Sequence, residues 1–281
     1  MIAAILAADS GKSSTILASD SGGRGEGYVP PTVEEFFPPP IFEFSFLGLD
    51  FEITRITIIS WIAVAALIVF FYSAARRARI VPGKLQYAGE SAYNLIRDGV
   101  GRDVIGKDAK PFIPYLATLF FFILFNNIMG IVPFAQISPS AKIAYPAFMA
   151  LLTYLLYLGV GIKRHGFFPY FKGLIIVPGV PVYMHVLLIP IEFLSNVIAR
   201  PFTLAIRLFA NMFAGHLLLV VFSLGGAYLL VQPNISVIFS PLAFAVAIAM
   251  TFFEILVAAL QAYVFTILTA VYLEESVAGG H

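Results

Sequence analysis

The stretch PFTLAIRLFANMFAGHLLLVVFS, Pro201 to Ser223, sets a single arginine, Arg207, in the middle of a long apolar run. A guanidinium stays charged at any workable pH, and a charge among hydrocarbon tails costs several kcal/mol unless it faces protein or water. One helical turn away in either direction stand Thr203, Leu204, Ala210 and Asn211, so no carboxylate at i±3 or i±4 is available to neutralise it. The counter-charge must come from elsewhere in the chain or from another chain.

Composition makes those surroundings a membrane. The 281 residues are 60% hydrophobic with a mean hydropathy of +0.92, well above the roughly 45–50% apolar content of soluble domains. The chain reads as an all-α integral membrane protein crossing the bilayer several times. Seventeen basic and sixteen acidic residues leave a net charge of +1, which gives no ground for a nucleic-acid partner. Cysteine is absent, excluding disulfides and thiolate metal sites, and the four histidines are too scattered for a metal cage. No cofactor or metal is expected.

Residues 1 to 40 differ from everything after them, DSGKSSTILASDSGGRGEGY being followed by the proline-rich VPPTVEEFFPPP. They read as a mobile tail, and residues 1–50 as an extracytoplasmic segment ahead of a membrane domain over 51–281. MIAAILAA is too short, and lacks the basic start, to read as a secretory signal. Ile56 to Ala75 carries no charge and would extend about 30 Å as a helix, a first span. Eight Lys or Arg follow between Arg76 and Lys110, against two in the first 40 residues, so the positive-inside bias puts the tail outside and this loop in the cytoplasm. Within the loop, about residues 83–104, Leu85, Ala88, Ala92, Leu95 and Ile96 recur at helical spacing against Lys84, Glu90, Arg97 and Asp98, which predicts an amphipathic helix on the cytoplasmic face. Gly99 and Gly101 weaken its end.

Residues 111–133 form a second span, with Asn126 and Asn127 deep inside it as donors for interhelical hydrogen bonds; residues 143–162 form a third, returning to the basic KRHG. Beyond these, residues 182–231 would reach about 75 Å and residues 236–273 about 57 Å as single helices. No polar turn interrupts either, and Gln232 to Asn234 turns the chain between them. About five membrane segments result, the last two a long tilted hairpin.

That hairpin holds the ionisable residues. Glu192, Asn196, Arg200, Arg207 and Asn211 follow one another at 4, 4, 7 and 4, one face of a helix. His216 lies about 13 Å beyond Arg207. On the second arm Glu254 and Gln261 share a face with Ala258 between them, and Ala259 and Ala262 nearby would let another helix approach. Intramembrane ionisable groups are by default candidates for an ion path; His and Glu exchange protons, whereas Arg does not, which suggests a proton route with a fixed positive barrier in it. Arg200 is read as pairing with Glu192 or reaching the interface, His165 and His185 as interfacial, and Glu274 and Glu275 as solvated charges.

The strings RPFTLAIRLFANMFAGH, ALQAYVFTILTAVYLEES and FFFILFNNIMGIVP resemble subunit a of the F-type ATP synthase, from about the first span to the C-terminus. The resemblance implies a stator half of a proton channel, whose partners are the c-ring, peripheral-stalk b subunits, protons and membrane lipids, in a bacterial plasma membrane with the N-terminus outside and the C-terminus in the cytoplasm. It implies that Arg207 faces the ring carboxylate, that His216 and Glu254 are the proton-relay pair of the outer half-channel, that Asn211 and Gln261 are polar positions beside the arginine, and that Glu192, Ser195 and Asn196 belong to the cytoplasmic half-channel. It implies no catalytic residue, and no GxxxxGK[ST] phosphate loop is present. A proton-coupled secondary transporter is the alternative, against which stands the lack of an internal repeat; a membrane scaffold with incidental charges is a further one. Ion choice between proton and sodium rests largely on the ring.

Overall fold

The computed structural model describes residues 41–46, 49–76, 79–132, 137–176, 182–231 and 235–278. The expected mobile tail of residues 1–40 and the turn at Gln232 to Asn234 lie outside these. FEFSF and LDFEI alternate apolar and polar residues with a period of two, and they form antiparallel strands β1 (Phe42–Phe46) and β2 (Leu49–Ile53), in a register that pairs Phe42 with Ile53 and Phe46 with Leu49. This hairpin straddles the expected boundary at residue 50 and is the one departure from helix among the described residues.

Helix α1 (Arg55–Ala75) buries Ile56, Ile59, Ser60 and Ala63 at spacings of three and four, while Trp61, Ile62, Ile68 and Val69 stay exposed. Helix α2 (Lys84–Ile96) packs beside it and continues into a π-helical segment, Arg97–Ile105. Gly89 and Ile96 are buried and Gln86 and Tyr93 half-buried, whereas Leu85, Ala88 and Leu95 face outward. Gly89 decides the orientation: a Cβ there would stand 2.8 Å from the Ala74 Cβ, so only glycine lets α2 lie this close to α1.

Helix α3 (Ile113–Met129) buries residues on nearly all sides, among them Leu116, Phe120 and Ile123, as expected of an apolar helix at the centre of a bundle. Helix α4 (Ala144–His165) ends on Lys163, Arg164 and His165, which complement the helix C-terminus, and on Gly166 at φ 87°. The short α5 (Phe167–Ile175) folds back so that the Tyr170 ring lies on Gly161.

Helix α6 (Val182–Phe193), a π-helical segment (Leu194–Ala199) and α7 (Arg200–Val231) run on without a turn. Pro190 and Pro201 bracket the π segment, and each removes an N–H from the regular ladder, the usual setting for a wide turn. Helix α8 (Ser240–Ala278) follows a short 3₁₀ turn, Ile235–Phe239, and packs antiparallel along α7. At 39 residues it is about 58 Å long and has no break at which it could cross a bilayer twice. Among the described residues, four helical stretches are long and apolar enough to span a membrane, and the 17-residue α3 is a shorter apolar helix among them.

Candidate functional site

The α7/α8 hairpin carries a line of polar groups with Arg207 near its middle. Leu204, Leu208, Met212 and His216 form the buried stripe of α7, so Arg207, rotated off that stripe, stands exposed on the outer surface of the hairpin. It makes no ion pair among the described residues. The small Ala210 and Ala214 are exposed beside it.

Towards the hairpin turn the polar groups move inward. Asn211, itself exposed, donates through Nδ2 to Gln261 Oε1 at 2.7 Å, which ties α7 to α8 one helical turn from the arginine. Gln261 is 3% exposed, Glu254 4% and His216 8%. The Glu254 carboxyl lies 3.5 Å from the Cβ that residue 215 would carry, so the acid of α8 sits against the turn of α7 that holds His216. Glu254 Oε2 and Gln261 Nε2 have no hydrogen-bond partner among the described residues. The alanines expected to admit another helix do so within the chain: Ala258 and Ala262 are fully buried in the core with Leu204 and Leu208 of α7 and Leu116 of α3, while Ala259 is exposed.

Towards the opposite, free end of the hairpin lies a second polar group. Asn196, 3% exposed, donates through its Nδ2 to Glu192 Oε2 at 2.9 Å and to the Leu174 carbonyl at 2.8 Å, while the Tyr157 hydroxyl donates to the Asn196 carbonyl at 3.4 Å. Ser195 is exposed beside them. A cleft of about 300 Å³ opens here, lined by Asn196, Arg200, Tyr170, Glu274, Glu275 and Ser276 among others. Arg200 does not pair with Glu192. It reaches across to Glu275, near the end of α8, with its guanidinium 5.1 Å from the centre of the Tyr272 ring. Glu275 is therefore not a free solvated charge; the antiparallel packing of α7 and α8 brings residues 75 apart into contact.

His165 lies at this same end, with Nε2 3.2 Å from the Val277 carbonyl, and the Tyr170 hydroxyl is 3.0 Å from Ser276 Oγ. Asn126 and Asn127 are buried in α3, yet their side chains form none of the interhelical bonds expected of them: Asn126 Nδ2 turns back to the Phe122 carbonyl of its own helix, and the Asn127 amide has no partner among the described residues. Tyr157, Tyr170 and Tyr272 also stand at this end and are hard to single out in a sequence. Their one signal is a hydroxyl within an apolar helical stripe, which looks the same for a core tyrosine at an interface.

Three polar clusters thus follow one another along one hairpin: a buried one near His216 and Glu254, an exposed arginine, and a half-buried one around Glu192 and Asn196. Residues 57–274 match the family described as ATP synthase A chain. Proteins called ATP synthase subunit a are similar over most of their length. The one from Nocardioides sp. strain JS614 is 42% identical over 267 residues, 92% of this chain and 96% of that relative. That from Rhodococcus erythropolis is 42% identical over 262 residues, 92% of each. The Frankia alni protein is 43% identical over 256 residues, 91% of this chain and 88% of the relative.

Proposed function

The chain belongs to the ATP synthase subunit a family, and from that premise we propose that it is the proton-translocating stator subunit of a bacterial F-type ATP synthase, with no catalytic site of its own. Two aqueous half-channels meet the carboxylates of a rotating c-ring on either side of Arg207. Protons enter on one side, ride the ring, and leave on the other, turning the rotor that drives ATP synthesis elsewhere in the complex.

The observation that carries this reading is the placing of Arg207: an arginine in an apolar helix, exposed on the hairpin's outer face, without an ion pair among the described residues. Such a charge calls for a carboxylate from another chain, and the c-ring supplies one. The cation favours the ionised form of a ring carboxylate as it passes and repels protons that would leak straight between the half-channels. His216 and Glu254 relay protons in the outer half-channel, where the polar atoms of Glu254 and Gln261 that lack partners among the described residues would be met by water. Asn211 and Gln261 brace the helices beside the arginine. Glu192, Ser195 and Asn196 form the cytoplasmic half-channel at the free end of the hairpin. The basic residues Lys163 and Arg164 at that end support a cytoplasmic C-terminus and an outside N-terminus in a plasma membrane. Peripheral-stalk b subunits and lipids cover the remaining outer faces.

The test is Arg207→Ala in inverted membrane vesicles, reading ATP-driven proton pumping together with the amount of assembled complex. Pumping falls to background while assembly holds. Unimpaired pumping would overturn the mechanism.

A further inference from the structure

Arg200 and Arg207 stand seven residues apart on one face of α7, about 10 Å along the axis. A second bare guanidinium at Arg200 would lie beside Asn196, which holds Glu192, at the cleft through which the free end of the hairpin opens. It would repel protons there as Arg207 does in the middle, and would compete with Asn196 for the Glu192 carboxylate. The chain supplies Glu275 against it. This carboxylate comes from the far end of α8, is bonded to Arg200, and lines the same cleft. The Tyr272 ring beneath the guanidinium, and the link between Tyr170 and Ser276, hold the last turns of α8 in register for the contact.

Resting on the reading of this end as the cytoplasmic half-channel, we propose that Glu275 is a positioning residue of proton transport, which neutralises Arg200 and draws it off Glu192 so that the inward mouth carries no positive barrier. Only Arg207 is then left as the barrier. The pair works by cancelling a charge; holding α8 to α7 is secondary, and the two roles separate in a double variant.

Glu275→Gln keeps the shape and leaves Arg200 without its counter-charge. Glu274 still lines the cleft, so the effect lies at the low end of what local fields produce, about a tenfold loss of ATP-driven pumping per assembled complex. The double variant Arg200→Gln with Glu275→Gln removes both charges and recovers most of the loss. A clamp would behave in the opposite way, with the double variant as poor as the single or worse. Three results overturn the proposal: full pumping by Glu275→Gln, no recovery in the double variant, or loss of assembly by Glu275→Gln that the double variant does not restore. Arg207→Ala in the same vesicles tells the two readings apart. If it abolishes pumping while Glu275→Gln is silent, the charge-cancelling role alone fails; if Arg207→Ala also pumps normally, the channel reading fails with it.

Discussion

Arg200 and Arg207 share a helix and a face, yet the chain treats them in opposite ways. The first is gathered in: Glu275 pairs with it, Tyr272 lies under it, and its side chain is 18% exposed. The second is left on the outer surface without an ion pair among the described residues. What differs is the course of the neighbouring helix. Near Arg200 the end of α8 carries a carboxylate, whereas beside Asn211 it carries Gln261 together with the buried Ala258 and Ala262. A neutral amide can orient water or hold a helix but cannot discharge a guanidinium, so this part of α8 leaves the charge of Arg207 uncompensated.

The comparison is sharpened by variants of graded effect. Arg207→Ala, described above, removes the exposed cation and is the most severe. Next comes Glu254→Gln, which keeps the size of a buried group and removes its ability to carry a proton. Positioned proton-transfer groups commonly contribute about a hundredfold or more, and pumping is expected to fall by that order with the complex assembled; normal pumping rates would exclude Glu254 from the relay. Glu275→Gln is milder, for the reasons given.

Gly161→Ala acts on packing alone. Its methyl would stand 2.2 Å from the Tyr170 ring, which is buried and tied through its hydroxyl to Ser276 near the end of α8. Overpacking of this kind costs about 1–3 kcal/mol. The amount of detergent-stable complex should drop, while pumping per complex that does assemble changes little. A large loss per complex would mean that α5 sets the cleft geometry directly.

Asp98→Asn should have the smallest effect. Asp98 is bonded to Arg97 at 2.8 Å and to Arg102 at 2.8 Å on the surface of the π-helical segment after α2, and the Arg97 hydrogen bond holds its carboxyl below the usual range. A lowered value means that the contact is complete above the ordinary carboxylate range and is lost only as pH falls through the lowered value. Near neutral pH the variant should match the parent in pumping and be at most slightly less heat-stable, since an exposed pair is worth little, and that small difference should vanish in acid as Asp98 of the parent is protonated. A clear loss at neutral pH would point to a contact of this segment with a neighbouring subunit.

Much of this molecule was legible from one dimension. Uncharged runs of helical length announce the spans, because a bilayer core about 30 Å thick admits little else. The alternation in FEFSF and LDFEI is equally open to reading as two strands, because a period of two is a property of the extended backbone. The spacing of Arg200, Arg207 and Asn211 puts them on one face of α7, since 3.6 residues per turn is a property of the regular helix, whereas the π-helical segment Leu194–Ala199 interrupts that period between them and Glu192. The absence of a carboxylate one turn from Arg207 could also be read directly. What sequence could not decide was which side of each helix turns inward and which distant residues meet. Which side of α2 packs on α1 is set where Gly89 meets Ala74, and Glu275 looks solvated until antiparallel packing carries it to Arg200. In an apolar helix every face is oily enough to be buried, so close packing at small residues and pairing of the few charges choose the orientation, and both are decided only when the helices assemble.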